Sequence, residues 1–258
     1  MFLGDIHHSS LVMFGLLVFY TFRSPSYEDY LIWVGFDLPR LSPILDLIRL
    51  GSPIGVSLFV HSALFTLVAL TMGRLGAVAA ASHQIVLNYS SLVFIFPLAI
   101  AMATTVLVGQ EKGRASLARA RSIGNSGMCL CALVSAFFAT LTVYFCASIS
   151  RFYSSDSDVV ELCTMLFKIA AVLQVADGVQ VAASFALRGL KDTRFPMLLN
   201  VFSYLGVGFG AVSCLTYLFD GGGLLIWSAL VLAISTAALL LMWRFNHITK
   251  RIEEKIAI

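Results

Sequence analysis

The chain has 258 residues, 59% of them hydrophobic and 12% charged, where a soluble domain has about 45–50% and about 25%. That balance excludes an ordinary soluble globular domain. The net charge of +3 is too small, and too confined to short loops, to suggest nucleic acid as a partner; lipid headgroups suit it better.

The first apolar run, Leu11–Phe22, follows Asp5, His7, His8, Ser9 and Ser10. It is too short to cross a hydrocarbon layer of about 30 Å comfortably. It also lacks the basic leader and small-residue cleavage site of a signal peptide. His7 and His8 are adjacent, not separated by a helical turn, so they do not form a two-ligand metal site on one helix face. Residues 1–22 are therefore expected to be a partial or first transmembrane helix. A cytoplasmic loop over 23–50 should follow. Within it, Ser42-Pro43 offers a capping serine and a proline at the first helical position,. Leu41, Ile44, Leu45, Leu47 and Ile48 recur at helical spacing, opposite Arg40, Asp46 and Arg49, which predicts an interfacial amphipathic helix,. Gly51-Ser52-Pro53 should mark its junction with the next span.

Six longer apolar stretches then follow, at about 51–72, 85–108, 124–149, 162–187, 195–218 and 223–243. Each reaches the roughly 20 residues that a spanning helix needs. They must be helices, because lipid offers backbone amides no partners and the alternating segments of a barrel are missing. The fold class is all-α: a polytopic membrane bundle of about seven helices, with a six-helix lobe over 51–243 and a cytoplasmic tail over 244–258. Pro97 lies inside the third span, Gly178 inside the fifth, and Gly206, Gly208 and Gly210 inside the sixth. Proline kinks a helix and small residues permit close approach. The five cysteines lie in or beside apolar spans, where packing is their expected role,.

Basic residues set the orientation. Of seventeen, fourteen fall on one set of alternate loops, two (Arg74 and Arg151) on the other set, and Lys168 inside a span. Basic loops stay cytoplasmic, so the first helix begins outside and the C-terminus lies inside. A chain that starts outside, midway through a helix and without a signal, reads as the back portion of a longer protein; a self-sufficient seven-helix protein is the other reading.

Asp177 is the foremost candidate for chemistry within the membrane. An aspartate at mid-span costs about 2.5–3.5 kcal/mol on insertion scales, and such residues usually mark an ion or proton path. Gln174, Asp177 and Gln180 recur every three residues, which predicts roughly one face and a cluster of oxygens,. The competing reading is a protonated aspartate bonded to a neighbouring helix. His61 lies about ten residues into the second span. It is either a proton shuttle with Asp177 or an imidazole bonded to a carbonyl. Gln84 and Asn88, beside His83, open the third span and are candidates to line a cavity or bond other helices. Lys168 has a stem long enough to snorkel to the outer interface. No P-loop, zinc-ligand spacing, nucleophile elbow or dinucleotide turn is present in the sequence. The chain is expected not to be an enzyme and to use no cofactor.

Four segments carry a resemblance. Gly51-Ser52-Pro53-Ile54-Gly55-Val56-Ser57-Leu58-Phe59 resembles the opening of the seventh helix in the multidrug and toxic-compound extrusion family, NorM-type branch. Ser82-His83-Gln84-Ile85-Val86-Leu87-Asn88 is similar to its eighth-helix motif, with Ser82 where alanine is usual. Val108-Gly109-Gln110 with Arg119-Ala120-Arg121, and Ala186-Leu187-Arg188-Gly189-Leu190-Lys191-Asp192-Thr193-Arg194-Phe195-Pro196, resemble the next cytoplasmic loop and the loop after helix ten. The resemblance implies helices six to twelve of a twelve-helix antiporter that exports organic, often cationic, compounds in exchange for H+ or Na+. It implies two rocking lobes, of which the first would be missing from this chain, and a bacterial cytoplasmic (inner) membrane. It matches Asp177 to a carboxylate implicated in coupling, and sets His61 where a helix-seven glutamate is usual. Imidazole is a poor sodium ligand beside carboxylate, which favours proton coupling or a weakened cation site on Asp177 alone. The alternatives are a lipid-precursor flippase of the same superfamily and a non-transporting seven-helix receptor or scaffold. For the receptor, a retinal linkage is disfavoured because the intramembrane lysine lies in the fifth helix and not the last.

Overall fold

The computed structural model describes residues 2–24, 41–217 and 222–256. The expected loop over 25–40, with Arg40, lies outside the described residues, as does most of the outer turn around Asp220. Every described element is a helix: α1 (Phe2–Arg23), α2 (Leu41–Arg74), α3 (Ala77–Gly113), α4 (Leu117–Tyr153), α5 (Ser157–Gly189), α6 (Arg194–Val201), α7 (Gly210–Tyr217) and α8 (Gly223–Ile256). Between α6 and α7 the chain winds as a π-helical stretch, Phe202–Phe209. Six segments are long and apolar enough to cross a membrane: α2, α3, α4, α5, the rod Arg194–Leu215 and α8. The apolar part of α1, Leu11–Arg23, is shorter.

The chain divides into two units, Met1–Leu47 and Ile48–Ile258. In the first, α1 ends with Thr21 donating back to the carbonyls of Leu17 and Val18. In the second, α2 runs through Gly51-Ser52-Pro53 as one continuous helix. Proline removes one N–H and leaves one carbonyl free of its helical donor. At Pro53, the Ser57 hydroxyl donates to the proline's own carbonyl at 3.0 Å, a polar contact on the buried face of α2.

Helix α5 is the axis of the second unit and lies against α3, α4 and α8. Its sequence explains this position. Ala170, Ala171, Ala182, Ala183 and Ala186 are all buried, and small side chains let helix backbones approach closely in lipid. Two apolar clusters sit along this axis. One gathers Leu64, Met72, Phe167, Tyr204, Trp227 and Leu230; the other gathers Val108, Leu117, Ala120, Leu187, Leu241 and Phe245. Gly189 marks a close approach to backbone: a methyl group there would lie 2.7 Å from the Thr105 carbonyl oxygen.

Helices α3 and α5 end alike. Ala115 and Lys191 both take left-handed backbone, at φ 58° and 56°. In each case the residue after it donates to the carbonyl five positions back, Ser116 to Glu111 at 2.9 Å and Asp192 to Leu187 at 3.0 Å. These are Schellman closures, in which the left-handed position is usually glycine. The two ends are also joined to one another. Thr105 donates to the Phe185 carbonyl at 2.8 Å, and the Lys112 ammonium donates to the Leu190 carbonyl. On the following loop, Asp192 accepts from Arg244 Nε at 2.9 Å, and the Arg244 guanidinium stacks 4.1 Å from the centre of the Phe195 ring.

Candidate functional site

Four helices line a partly open cavity of about 390 Å³. Helix α2 contributes His61, Ser62 and Phe65; α3 contributes Ser90, Ser91 and Phe94 around Pro97; α4 contributes Ser135; α5 contributes Gln174 and Asp177. His61 and Asp177, singled out separately from sequence, therefore share one chamber. No hydrogen bond joins them. The His61 ring instead sits 5.0 Å from Phe65 and 5.3 Å from Tyr204, edge-on to the latter.

The oxygens around the chamber are conspicuous for lacking partners. Asp177 Oδ1, Ser90 Oγ and Ser135 Oγ are each shielded from solvent with no hydrogen-bond partner. Native proteins rarely leave buried polar atoms unpaired without an ion, a water or a functional reason. Pro97 adds to the polarity of the same wall. Lacking an N–H, it frees a carbonyl one turn earlier, at Val93, and both residues line the cavity,. Gly178 is why Ser135 reaches the site: a methyl group at 178 would collide with the Ser135 hydroxyl. The position following the aspartate is thus kept clear for α4.

The remaining sequence candidates are dispersed. The Gln174 amide approaches Thr142 Oγ1 at 3.4 Å, and Thr142 in turn lies 3.1 Å from the Tyr89 hydroxyl. Gln180 is buried away from the chamber, beside Tyr204 on the π-helical stretch. The single face expected for 174, 177 and 180 fans out, since each step of three residues turns back about 60° at 3.6 residues per turn. Gln84 and Asn88 are exposed and do not line this cavity; Asn88 Oδ1 accepts from the Tyr153 hydroxyl at 3.0 Å. His83 is 2% exposed, with both ring nitrogens unpartnered and its ring edge-on to Trp227 at 5.6 Å. No cluster of three or more His, Cys, Asp or Glu residues suited to a metal occurs among the described residues.

Sequence reasoning did not anticipate Ser90 or Ser135. Serine is common in membrane helices, and nothing local distinguishes one that faces a cavity. Pro97 was the available signal for the wall of α3. Gly178 was the signal for the contact with α4.

A family model described as MatE matches residues 53–211. The chain is 36% identical over 233 residues to the probable multidrug resistance protein NorM of Xanthomonas campestris, covering 90% of this chain and 51% of that protein. It is 34% identical over 244 residues to the multidrug resistance protein MdtK of Yersinia pseudotuberculosis, covering 93% and 53%. The chain spans about half the length of the curated relatives it matches. Among solved structures, a crystal structure of MATE in complex with MaD3S superposes with a TM-score of 0.84 at 15% identity, covering 95% of this chain and 55% of the other. The eukaryotic MATE transporter AtDTX14 superposes at 0.82 with 18% identity, covering 94% and 55%. At such identities the structures establish the shared fold, while the family-model match over residues 53–211 establishes kinship: this multi-pass membrane protein belongs to the MatE family.

Proposed function

We propose that the chain forms one lobe of a secondary active multidrug efflux antiporter, exporting organic, often cationic, compounds against an inward flow of H+ or Na+. The observation that carries this reading is the chamber lined by Asp177, His61, Ser90 and Ser135, where one carboxylate oxygen and two serine hydroxyls are shielded from solvent without partners. A carboxylate at this depth is held charged by a counter-ion or neutral by a proton. The exchange between these two conditions supplies the differential free energy that biases a lobe between inward- and outward-open forms. The names of the relatives as multidrug resistance proteins support the substrate class.

Protons are the preferred coupling ion. His61 faces the chamber where a second carboxylate would favour sodium, and an imidazolium there would repel a cation,. The working transporter is expected to include a second lobe, because the relatives are about twice as long as this chain. It is expected in a bacterial cytoplasmic membrane with the basic loops and C-terminus inside.

Accumulation of a fluorescent organic cation in everted vesicles, with and without an imposed pH gradient, tests the reading. Gradient-dependent accumulation that is lost in Asp177→Asn, with membrane insertion unchanged, is the expected result. Unchanged accumulation in that variant would remove Asp177 from the coupling site. Accumulation of lipid-linked precursors in place of organic cations would favour a flippase.

A further inference from the structure

Tyr204 stands where three elements meet, outside the lining of the chamber but against two residues that form it. It is carried by the π-helical stretch Phe202–Phe209, a winding that is rare in proteins and frequent at functional sites. The side chain is 1% exposed and packs in the apolar cluster with Leu64, Trp227 and Leu230. On α2, the His61 ring lies 5.3 Å away, edge-on. On α5, the Tyr204 hydroxyl comes beside Gln180 and within electrostatic reach of Asp177. Those two side chains are three residues apart, about 4.5 Å along the helix. The hydroxyl therefore faces the turn of α5 that holds the acid.

Apolar packing fixes the ring and leaves one polar atom to account for. The Tyr204 hydroxyl is shielded from solvent without a hydrogen-bond partner, and so is Asp177 Oδ1. A phenol can donate and an ionised carboxylate only accepts, so the two unpaired atoms are complementary. The other titratable groups on the helices around Asp177 are engaged elsewhere. From α4, Cys131 Sγ donates to the Pro97 carbonyl at 3.4 Å. From α3, the Tyr89 hydroxyl lies 3.1 Å from Thr142 Oγ1. Helix α8 has no titratable side chain between Gly223 and Trp243. Lys168, nine residues before Asp177 on α5, lines a separate groove between α4, α5 and α8. Among the described residues, His61 and Tyr204 are thus the titratable groups set against Asp177 with no hydrogen bond of their own.

We propose that Tyr204 is a positioning residue of the coupling site: its hydroxyl donates to the Asp177 carboxylate, directly or through one water, whenever that group is ionised. The inference rests on the coupling role given to Asp177, and it adds the rod Arg194–Leu215 to the elements that respond to the acid. An ionised Asp177 holds the π-helical stretch against α5 through this bond. Protonation replaces a charge-assisted bond by a neutral one about half as strong, which loosens the hold.

The proton affinity of Asp177 reports this bond without any transport. The full chain is reconstituted in lipid, and the carbonyl stretch of the protonated carboxyl is followed across pH by infrared spectroscopy. The band missing from Asp177→Asn belongs to Asp177. A hydrogen bond to the ionised form of an acid lowers its proton affinity. Tyr204→Phe keeps the ring and removes the donor, so the titration midpoint should rise by about one pH unit, a tenfold tighter hold on the proton. Replacing Tyr204 by 3-fluorotyrosine, a stronger donor of nearly the same shape, should move the midpoint the other way. Tyr153→Phe, which removes a hydroxyl bonded to Asn88 at the end of α4, should leave it in place. Helical content by circular dichroism should match the wild type in every variant. A midpoint that stays in place or falls in Tyr204→Phe, or that fluorination does not lower, would overturn the proposal and leave the coupling reading intact. No Asp177-dependent titration in the wild type would overturn both.

Discussion

Gly113 and Gly189 occupy the same position in two closures of the same form, each the last residue of its helix before the capping turn. Their surroundings differ. A methyl group at 113 meets nothing within 4 Å, whereas at 189 it meets the Thr105 carbonyl oxygen at 2.7 Å and Val108 at 3.1 Å. Alanine gains up to about 1 kcal/mol over glycine in a helix. Gly113→Ala should therefore stabilise by up to that amount. Gly189→Ala receives the same gain but must push α5 away from a backbone oxygen that cannot rotate aside. Overpacking of this kind costs about 1–3 kcal/mol. The two variants should consequently differ by about 1–3 kcal/mol, a factor of roughly 5 to 150 in the unfolding equilibrium. Reversible unfolding in mixed detergent micelles, followed by tryptophan fluorescence and circular dichroism, measures each. Equal stability changes in the two variants would refute the claim that contact with α3 fixes glycine at 189.

Three further outcomes are expected. Ala115→Gly should raise stability by about 0.5–1 kcal/mol, because a left-handed alanine costs about 1–2 kcal/mol and the entropy of glycine returns only part of it; the unfolding midpoint checks this. Arg244→Lys keeps the charge facing Asp192 but loses the planar stack on Phe195,. It should cost about 0.5–1 kcal/mol, and a double-mutant cycle with Phe195→Leu should recover that figure as coupling. His61→Glu should introduce or strengthen sodium dependence of efflux, measured with sodium and proton gradients imposed separately; an unaltered ion preference would argue against the role given to His61.

Much of the architecture was legible because lipid restricts the choices. Runs of about 20 apolar residues leave only helices, and five of the six longer stretches read from hydropathy lie within described helical segments, while the one at 195–218 overlaps the rod Arg194–Leu215 and ends outside the described residues. Boundaries were less legible. Helix α4 begins at Leu117 and ends at Tyr153, well beyond the apolar stretch at 124–149, since polar residues such as Arg119 and Arg121 continue a helix without adding hydropathy. At Pro53 the chain passes from the amphipathic segment into the span as one helix, the proline's loss of one bond being compatible with a continuous helix,. At the site, Asp177 and His61 stood out as costly residue types in apolar surroundings. Ser90 and Ser135 did not, because their significance lies in which helix faces which. The fan of Gln174, Asp177 and Gln180 shows the same limit: a three-residue repeat drifts around the helix, and the neighbour each member meets is a tertiary fact.

The shared ending of α3 and α5 has a mechanical corollary. Below Pro97 the two helices are fastened twice, by Thr105 to Phe185 and by Lys112 to Leu190. Above Pro97, α3 has lost one rung of its own ladder. The two helices are fastened again at their other ends, where Ser82 Oγ donates to the Val159 carbonyl at 3.3 Å and Cys163 Sγ to the Ser82 carbonyl at 3.7 Å. Flexing of α3 is therefore concentrated in its middle, around Pro97, and the chamber lined by Val93 and Pro97 would change width there while both ends of α3 stay with α5.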